Sequence, residues 1–316
     1  MILLSIIVPY YNVLSYFERC IRSLMAQTIR EEVEFIFVND GSTDGSRQIL
    51  VDTLSQYPDR SSQVRCIDLP HHQGVSAART IGMKEARGEY LISCDSDDWV
   101  DPEIYQLVSD KITETRADVI VVPFIHEYGD VSVPETYREL SIEESLSDQR
   151  WWGLCSHALR RSLIEKYSIY PITNIDFWED LDLLLRYFVH ASSIAYISAT
   201  LYHYDRSRTS SVVHQCSGED GYRRCQKVIE HLSDYFLRFA PQHIEALSFL
   251  KRAARDMYIT GENKDFRKWS RTYPETWQLI WNDKKLSWLY RICYRVGSMG
   301  FVAPLQLLFF FTKLLK

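Results

Sequence analysis

The first 124 residues alternate between two kinds of apolar pattern, and that alternation restricts the chain to few folds. Ile2 to Val8 is a continuous apolar run of strand length, and Phe17, Ile21, Leu24 and Met25 then recur at helical spacing. Val33 to Val38 is a second run, rich in β-branched and aromatic residues. The order repeats as a helix from about Asp44 to Tyr57, a strand near Val64 to Leu69, a helix from Val75 to Ala86, and strands at Tyr90 to Cys94 and Val119 to Phe124. Continuous apolar strands are covered on both faces, and crossover helices link parallel neighbours. The pattern predicts an α/β domain with a mainly parallel central sheet between layers of helices.

Beyond Pro134 the pattern is irregular, with a helix expected at Phe177 to His190 and short strands near Ile194 to Ile197 and Leu201 to Tyr204. From about Gly218 the chain reads as all-helical, so the expected division is 1–217 and 218–316. The 316 residues, 46% hydrophobic and 13% aromatic, suffice for a large domain and a smaller helical region. The net charge of -6 conceals an asymmetry. Residues 1–220 carry 19 Lys+Arg against 34 Asp+Glu, and residues 221–316 carry 17 against 8. An acidic body argues against a nucleic-acid partner, whereas a basic, aromatic tail suits anionic lipid or an acidic protein. The seven cysteines are scattered and form no C-x-x-C pair, which points to reduced thiols in a cytosol and to no zinc site. Met1 to Val8 lacks a basic flank and a cleavage site, so it reads as a buried strand and not a signal peptide.

In sheets of this kind ligands bind where strands end and helices begin. Three polar clusters fall there: Pro9 to Asn12, Asn39 to Asp44, and Asp95-Ser96-Asp97-Asp98. Neither a G-x-G-x-x-G fingerprint nor a G-x-x-x-x-G-K-[ST] loop occurs, so the chain does not read as a dehydrogenase or P-loop enzyme. Asp95, Asp97 and Asp98, three carboxylates within four residues, repel one another unless a cation or solvent compensates. Their hard oxygens suit Mg2+ or Mn2+. Helix capping is the alternative, and it is the reading preferred for Asp101 before Pro102.

Taken together, Ser5-Ile6-Ile7-Val8-Pro9-Tyr10-Tyr11-Asn12, Val38 to Ser46, Gly74-Val75-Ser76-Ala77-Ala78-Arg79 and Asp95-Ser96-Asp97-Asp98-Trp99 closely resemble glycosyltransferase family 2. The resemblance is strong to about Trp99, moderate to about Ser211 and absent beyond. It implies a GT-A fold and an inverting transferase that uses a nucleotide-sugar, by default a UDP-hexose or UDP-N-acetylhexosamine, with Mn2+ or Mg2+. Pro9, Tyr11, Asp40, Arg79, Asp95 and Arg206 would bind the donor, Tyr11 by stacking on the base and Asp40 by hydrogen bonding to base or ribose. Asp97, with His203 as a possible further ligand, would bind the metal. Trp178-Glu179-Asp180-Leu181 resembles the family's acidic motif, which makes Asp180 the general base. Trp99, Glu179 and His157 would lie on the acceptor side. His157 stands where relatives commonly carry Lys, and Asp205 replaces a frequent Arg; either Arg206 or Arg208 would reach phosphate.

The implied acceptor is a saccharide or lipid-linked saccharide of a cell-surface polysaccharide. Two rival readings are a sugar-nucleotide nucleotidyltransferase, whose G-x-G-T-R loop Pro9 to Asn12 does not match, and a non-catalytic partner that retains the fold. Residues 284–316 join Lys284, Lys285, Arg291 and Arg295 to Trp288, Tyr290, Tyr294 and a phenylalanine-rich end. That composition suits an interfacial helix on the inner face of a cytoplasmic membrane, or else a helix packed on protein.

Overall fold

Every residue of Leu4–Tyr10 is buried, as its unbroken apolar pattern requires, because this strand (β1) has a neighbour on each side and helices packed near it. Its neighbours are β2 (Val33–Asn39) and β4 (Tyr90–Ser93), both parallel to it. The structure, a computed structural model, describes residues 2–135, 139–146, 153–173, 175, 177–207, 217–260, 264–282 and 286–307. Two units emerge, Met1–Thr209 and Ser210–Lys316.

In the first unit β3 (Val64–Asp68), β6 (Val119–Val121), β9 (His157–Arg160) and β10 (Ile194–Tyr196) complete a seven-stranded sheet of order β10-β6-β9-β4-β1-β2-β3. Only β9 runs antiparallel, pairing with β4 and β6. The crossovers are α1 (Leu14–Met25), α2 (Ser46–Leu54), α3 (Val75–Glu85) and α4 (Ile104–Thr115). Helix α1 buries Phe17, Cys20, Ile21, Leu24 and Met25, one stripe at the 3.6-residue period. Helix α3 comes so close to β1 that a Cβ at Gly82 would lie 2.5 Å from the Ile7 side chain.

The strand expected over Val119 to Phe124 is two strands in two sheets. β6 stops at Val121, and β7 (Phe124–Tyr128) begins beyond Pro123, which has no N–H to give to a ladder. β7 joins a second sheet of order β5-β11-β7-β8, with β5 Trp99–Val100, β8 Val131–Pro134 and β11 Tyr202–Asp205. Asp101 does not cap α4: the cap position is Glu103, and Asp101 offers only its backbone carbonyl to Ile104 N–H, at 3.3 Å. Short helices α5 (Ile142–Ser145) and α6 (Arg161–Tyr167) precede α7 (Glu179–Phe188).

The second unit is helical, with α8 (Gly218–Phe239), α9 (Ser248–Asp256), α10 (Phe266–Arg271), α11 (Trp277–Asn282) and α12 (Trp288–Ser298). Trp269, Tyr294 and Leu305 are buried at its centre. Arg255 is buried with them and is satisfied there: its guanidinium lies 3.7 Å from the Trp269 ring centre and donates to Trp269 O, Thr276 Oγ1 and Ser298 Oγ. A buried charge so furnished ties α9, α10 and α12 together.

Candidate active site

The loops after β1 and β2 are stitched to each other by the polar residues that mark them in the sequence. Asn12 N–H donates to Ser42 Oγ at 3.2 Å, and Thr43 N–H returns a bond to Asn12 Oδ1 at 2.9 Å. Asp44 accepts from Leu14 N–H at 3.0 Å and from Ser46 N–H and Oγ–H at 3.0 and 2.6 Å. Asp44 thus satisfies the first turn of a helix thirty residues away. Burial opposes its ionisation, but these donors outweigh burial and hold its carboxyl below the usual range. Pro9 is a buried residue of β1, and Tyr11 stands exposed on the stitched loop. Asp40, 2% exposed, accepts from the amides of Gln73 and Gly74 at 2.7 and 2.8 Å.

The acidic cluster after β4 divides by exposure. Asp98 is fully buried and its oxygens are taken, Oδ2 by Tyr202 O–H at 2.7 Å and Oδ1 by Asp205 N–H at 2.9 Å. Burial, then the charges of Asp97 and Asp95, push its carboxyl well up. Asp95 and Asp97 are only partly buried. Arg19 on α1 holds this turn, donating to Asp97 O at 3.0 Å and to Asp205 at 2.7 Å with its guanidinium 3.5 Å from the Trp99 ring centre. Asp205, where an Arg was expected, is thus the anchor for Arg19.

Asp95, Asp98 and Cys155 place one ligand atom each within 4.8 Å of one another. As a donor set the trio fits Mg2+ or Mn2+ poorly. Asp98 is already engaged, and burial holds the Cys155 thiol well above its ordinary pKa, hence protonated. Asp95 and Asp97 are the two partly buried carboxylates of the cluster, and hard oxygens of this kind suit a divalent cation that keeps positions for phosphate.

Arg79 on α3 joins the two halves of the site. It is 5% exposed, and its Nη2 donates to Asp95 at 2.8 Å while Nη1 donates to Glu179 at 2.8 Å and to Asp180. Glu179 and Asp180 open α7 directly after Trp178, whose φ of 62° is unusual for so large a side chain. Burial, with Glu179 and Asp95 adding to it and Arg79 opposing, pushes the Asp180 pKa up to about 8. Leu154 N–H also reaches Asp180, at 3.4 Å.

Other residues singled out in the sequence have different settings. His203, expected near the metal, turns Nδ1 to Glu127 at 2.7 Å and Nε2 toward Asp101 at 3.4 Å, and stacks on Trp99 with ring centres 5.0 Å apart. Nδ1 is held by Glu127 while Nε2 makes no hydrogen bond, so His203 pins β5, β7 and β11 through one nitrogen and its ring. His157, expected beside the acceptor, is 1% exposed within β9, with Nδ1 against Ser156 Oγ and Gly153 O. Burial pushes its pKa down to about 4, so it is a neutral core residue. The Trp99 ring is occupied by Arg19 and His203. Arg206 is exposed, 4.9 Å from the Tyr204 ring centre, and Arg208 lies outside the described residues. The sequence reading missed Arg19, Tyr202 and Asp98 as supports, because their partners lie 78 or more residues away in the chain.

The description of glycosyl transferase family 2 matches residues 5–169. The uncharacterized glycosyltransferase EpsJ of Bacillus subtilis is 32% identical over 223 residues, 66% of this chain and 62% of EpsJ, so less than two thirds of that relative is spanned. Among solved structures, residues 1–349 of Staphylococcus aureus TarS in complex with UDP-GlcNAc superpose with a TM-score of 0.70 at 19% identity, over 96% of this chain and 89% of that one. The mannosyltransferase PcManGT of Pyrobaculum calidifontis, in complex with GDP-Man and Mn2+, gives 0.54 at 13% identity, over 95% and 86%.

Proposed function

Because the chain belongs to glycosyltransferase family 2, we propose that it is an inverting transferase that moves a hexose or N-acetylhexosamine from a UDP-sugar to a saccharide or lipid-linked acceptor in cell-surface polysaccharide synthesis. The observation that carries this reading is the Arg79 bridge. One guanidinium holds Asp95 at the end of β4 and Asp180 at the start of α7, so a donor-side carboxylate and a candidate base face one small space. The choice of a UDP-sugar leans on the fold shared with TarS, which binds UDP-GlcNAc.

In this mechanism the acceptor hydroxyl lies against Asp180, which takes its proton as the oxygen attacks the anomeric carbon from the face opposite the leaving diphosphate. Configuration inverts. Arg79 and the Leu154 amide hold Asp180 in place, Glu179 holds Arg79, and Arg79 favours the ionised form of Asp180 in a buried site. Tyr11 and Asp40 receive the base, Pro9 shapes the floor beneath it, and Asp95 orients the ribose or donor sugar. A divalent cation held by Asp97 with Asp95, Mn2+ or Mg2+, would neutralise charge on the departing diphosphate. Arg206, exposed just after β11, would pair with the diphosphate.

Among the described residues no helix is long and apolar enough to cross a membrane. Peripheral attachment on the cytoplasmic face is supported by α12, which buries Cys293 and Tyr294 but exposes Trp288, Leu289 and Ile292. Exposed aromatic and aliphatic groups beside Arg291 and Arg295 suit an interface with anionic lipid. Release of nucleoside diphosphate from a panel of sugar donors, with and without saccharide acceptors, tests the whole reading. Pyrophosphate formation from sugar phosphate and nucleoside triphosphate would instead identify a nucleotidyltransferase, and no turnover of any donor would identify a binding partner.

A further inference from the structure

His72 has no role in the mechanism above, yet it makes the two contacts expected of a nucleobase. Its imidazole lies on the Tyr11 ring with centroids 3.8 Å apart and planes 18° from parallel. Its Nδ1 lies 2.7 Å from Oδ2 of Asp40. The backbone that presents it is fixed, since Asp40 also holds the next two amides. Gly41, at φ +72°, permits a close approach: a Cβ there would stand 2.7 Å from the His71 carbonyl carbon. The side chain itself is not enclosed. It is 50% exposed, while the carboxylate it meets is 2% exposed. A tyrosine face beside a buried acceptor makes a seat for a flat ring bearing an N–H, and here the chain's own imidazole fills it.

We infer that His72 is a displaceable plug in the nucleobase seat, and that an incoming uracil takes over both of its contacts. The inference rests on the nucleotide-sugar reading above and adds a reason for the base. Both Asp40 oxygens act as acceptors toward backbone amides, so the base must offer a ring N–H. Uracil offers one at N3, whereas cytosine presents a lone pair there and is repelled. Uracil is also a single ring, the smaller departure from an imidazole. Because the plug must leave first, the apparent affinity for the nucleotide is lowered by the fraction of time the seat is filled.

Calorimetric titration of the full chain with UDP and CDP, on wild type, His72→Ala and His72→Phe, tests this. His72→Ala should bind UDP more tightly, by about tenfold if the seat is filled nine-tenths of the time. His72→Phe keeps the stacking face but loses the nitrogen that meets Asp40, so it should fall between the two, with CDP weak throughout. UDP binding to His72→Ala that is equal to or weaker than wild type, in protein with an unchanged denaturation midpoint, would overturn the plug while leaving the nucleotide reading intact. CDP binding as tight as UDP would overturn the selection by Asp40. If no nucleoside diphosphate binds any of the three proteins, the nucleotide reading fails and the plug with it.

Discussion

A carboxylate serves as a general base only if it can be ionised at working pH and still hold a proton afterwards, and the proposed role puts that demand on Asp180. Asp180→Asn keeps the shape and removes the basic oxygen. Sugar transfer should fall by roughly 10²–10⁴-fold while UDP affinity stays near wild type, as steady-state rates and calorimetry would report. Near-normal transfer by that variant, with Glu179→Gln inactive, would move the base one residue. The pH profile is a second check at this scale. A raised carboxyl pKa leaves the base protonated below it, so kcat/KM of the wild type should decline as pH falls below about 8. Arg79 opposes that rise, hence Arg79→Gln should shift the acid limb to higher pH. An unmoved limb in a folded variant would detach Arg79 from the base.

At the scale of elements, Asp44 and Asn12 tie together the β1 and β2 loops, which carry the residues proposed to bind the base. Asp44→Ala removes the acceptor for Leu14 N–H at the first turn of α1 and the bonds to Ser46. Loss of such a cap should cost about 1–2 kcal/mol in urea denaturation and should weaken UDP binding through the Tyr11 loop. Unchanged stability would mean that water replaces the carboxylate. The N-D-G-S-T-D-G run is legible in the sequence as a turn and cap, but its partner helix is not. Leu14 lies thirty residues earlier, and nothing local to either segment announces the pairing.

For the molecule as a whole, two dependences follow. If Asp97 and Asp95 hold the cation, EDTA should abolish most transfer, Mn2+ or Mg2+ should restore it, and Asp97→Asn should resist rescue. Full activity in chelator would remove the metal from the mechanism. The tail prediction is best made by substitution, since Tyr294 and Leu305 belong to the core of the second unit and truncation would unfold it. Trp288→Gln combined with Ile292→Gln should leave the melting temperature unchanged and abolish sedimentation with acidic vesicles at low salt. A wild-type chain that ignores such vesicles would exclude lipid as the partner of that face.

The sequence by itself determined the α/β order, the parallel central strands, the helical end and the motifs that identify the family, because periodicity and strand-end polarity are local properties that the chain repeats. It also brought Asp95, Asp97 and Asp180 forward as chemistry. Only the tertiary structure decided what each polar residue meets. His157 and His203 are both singled out in the sequence, one for the acceptor and one for the metal, yet one is sealed in β9 and the other sets Nδ1 against Glu127. Asp98 and Asp97 are neighbours, but the buried one is consumed by Tyr202 and Asp205. Arg79 became the bridge between Asp95 and Asp180 because α3 and α7, a hundred residues apart, turn toward one another. Burial and long-range pairing arise when distant segments pack, and no local pattern encodes them.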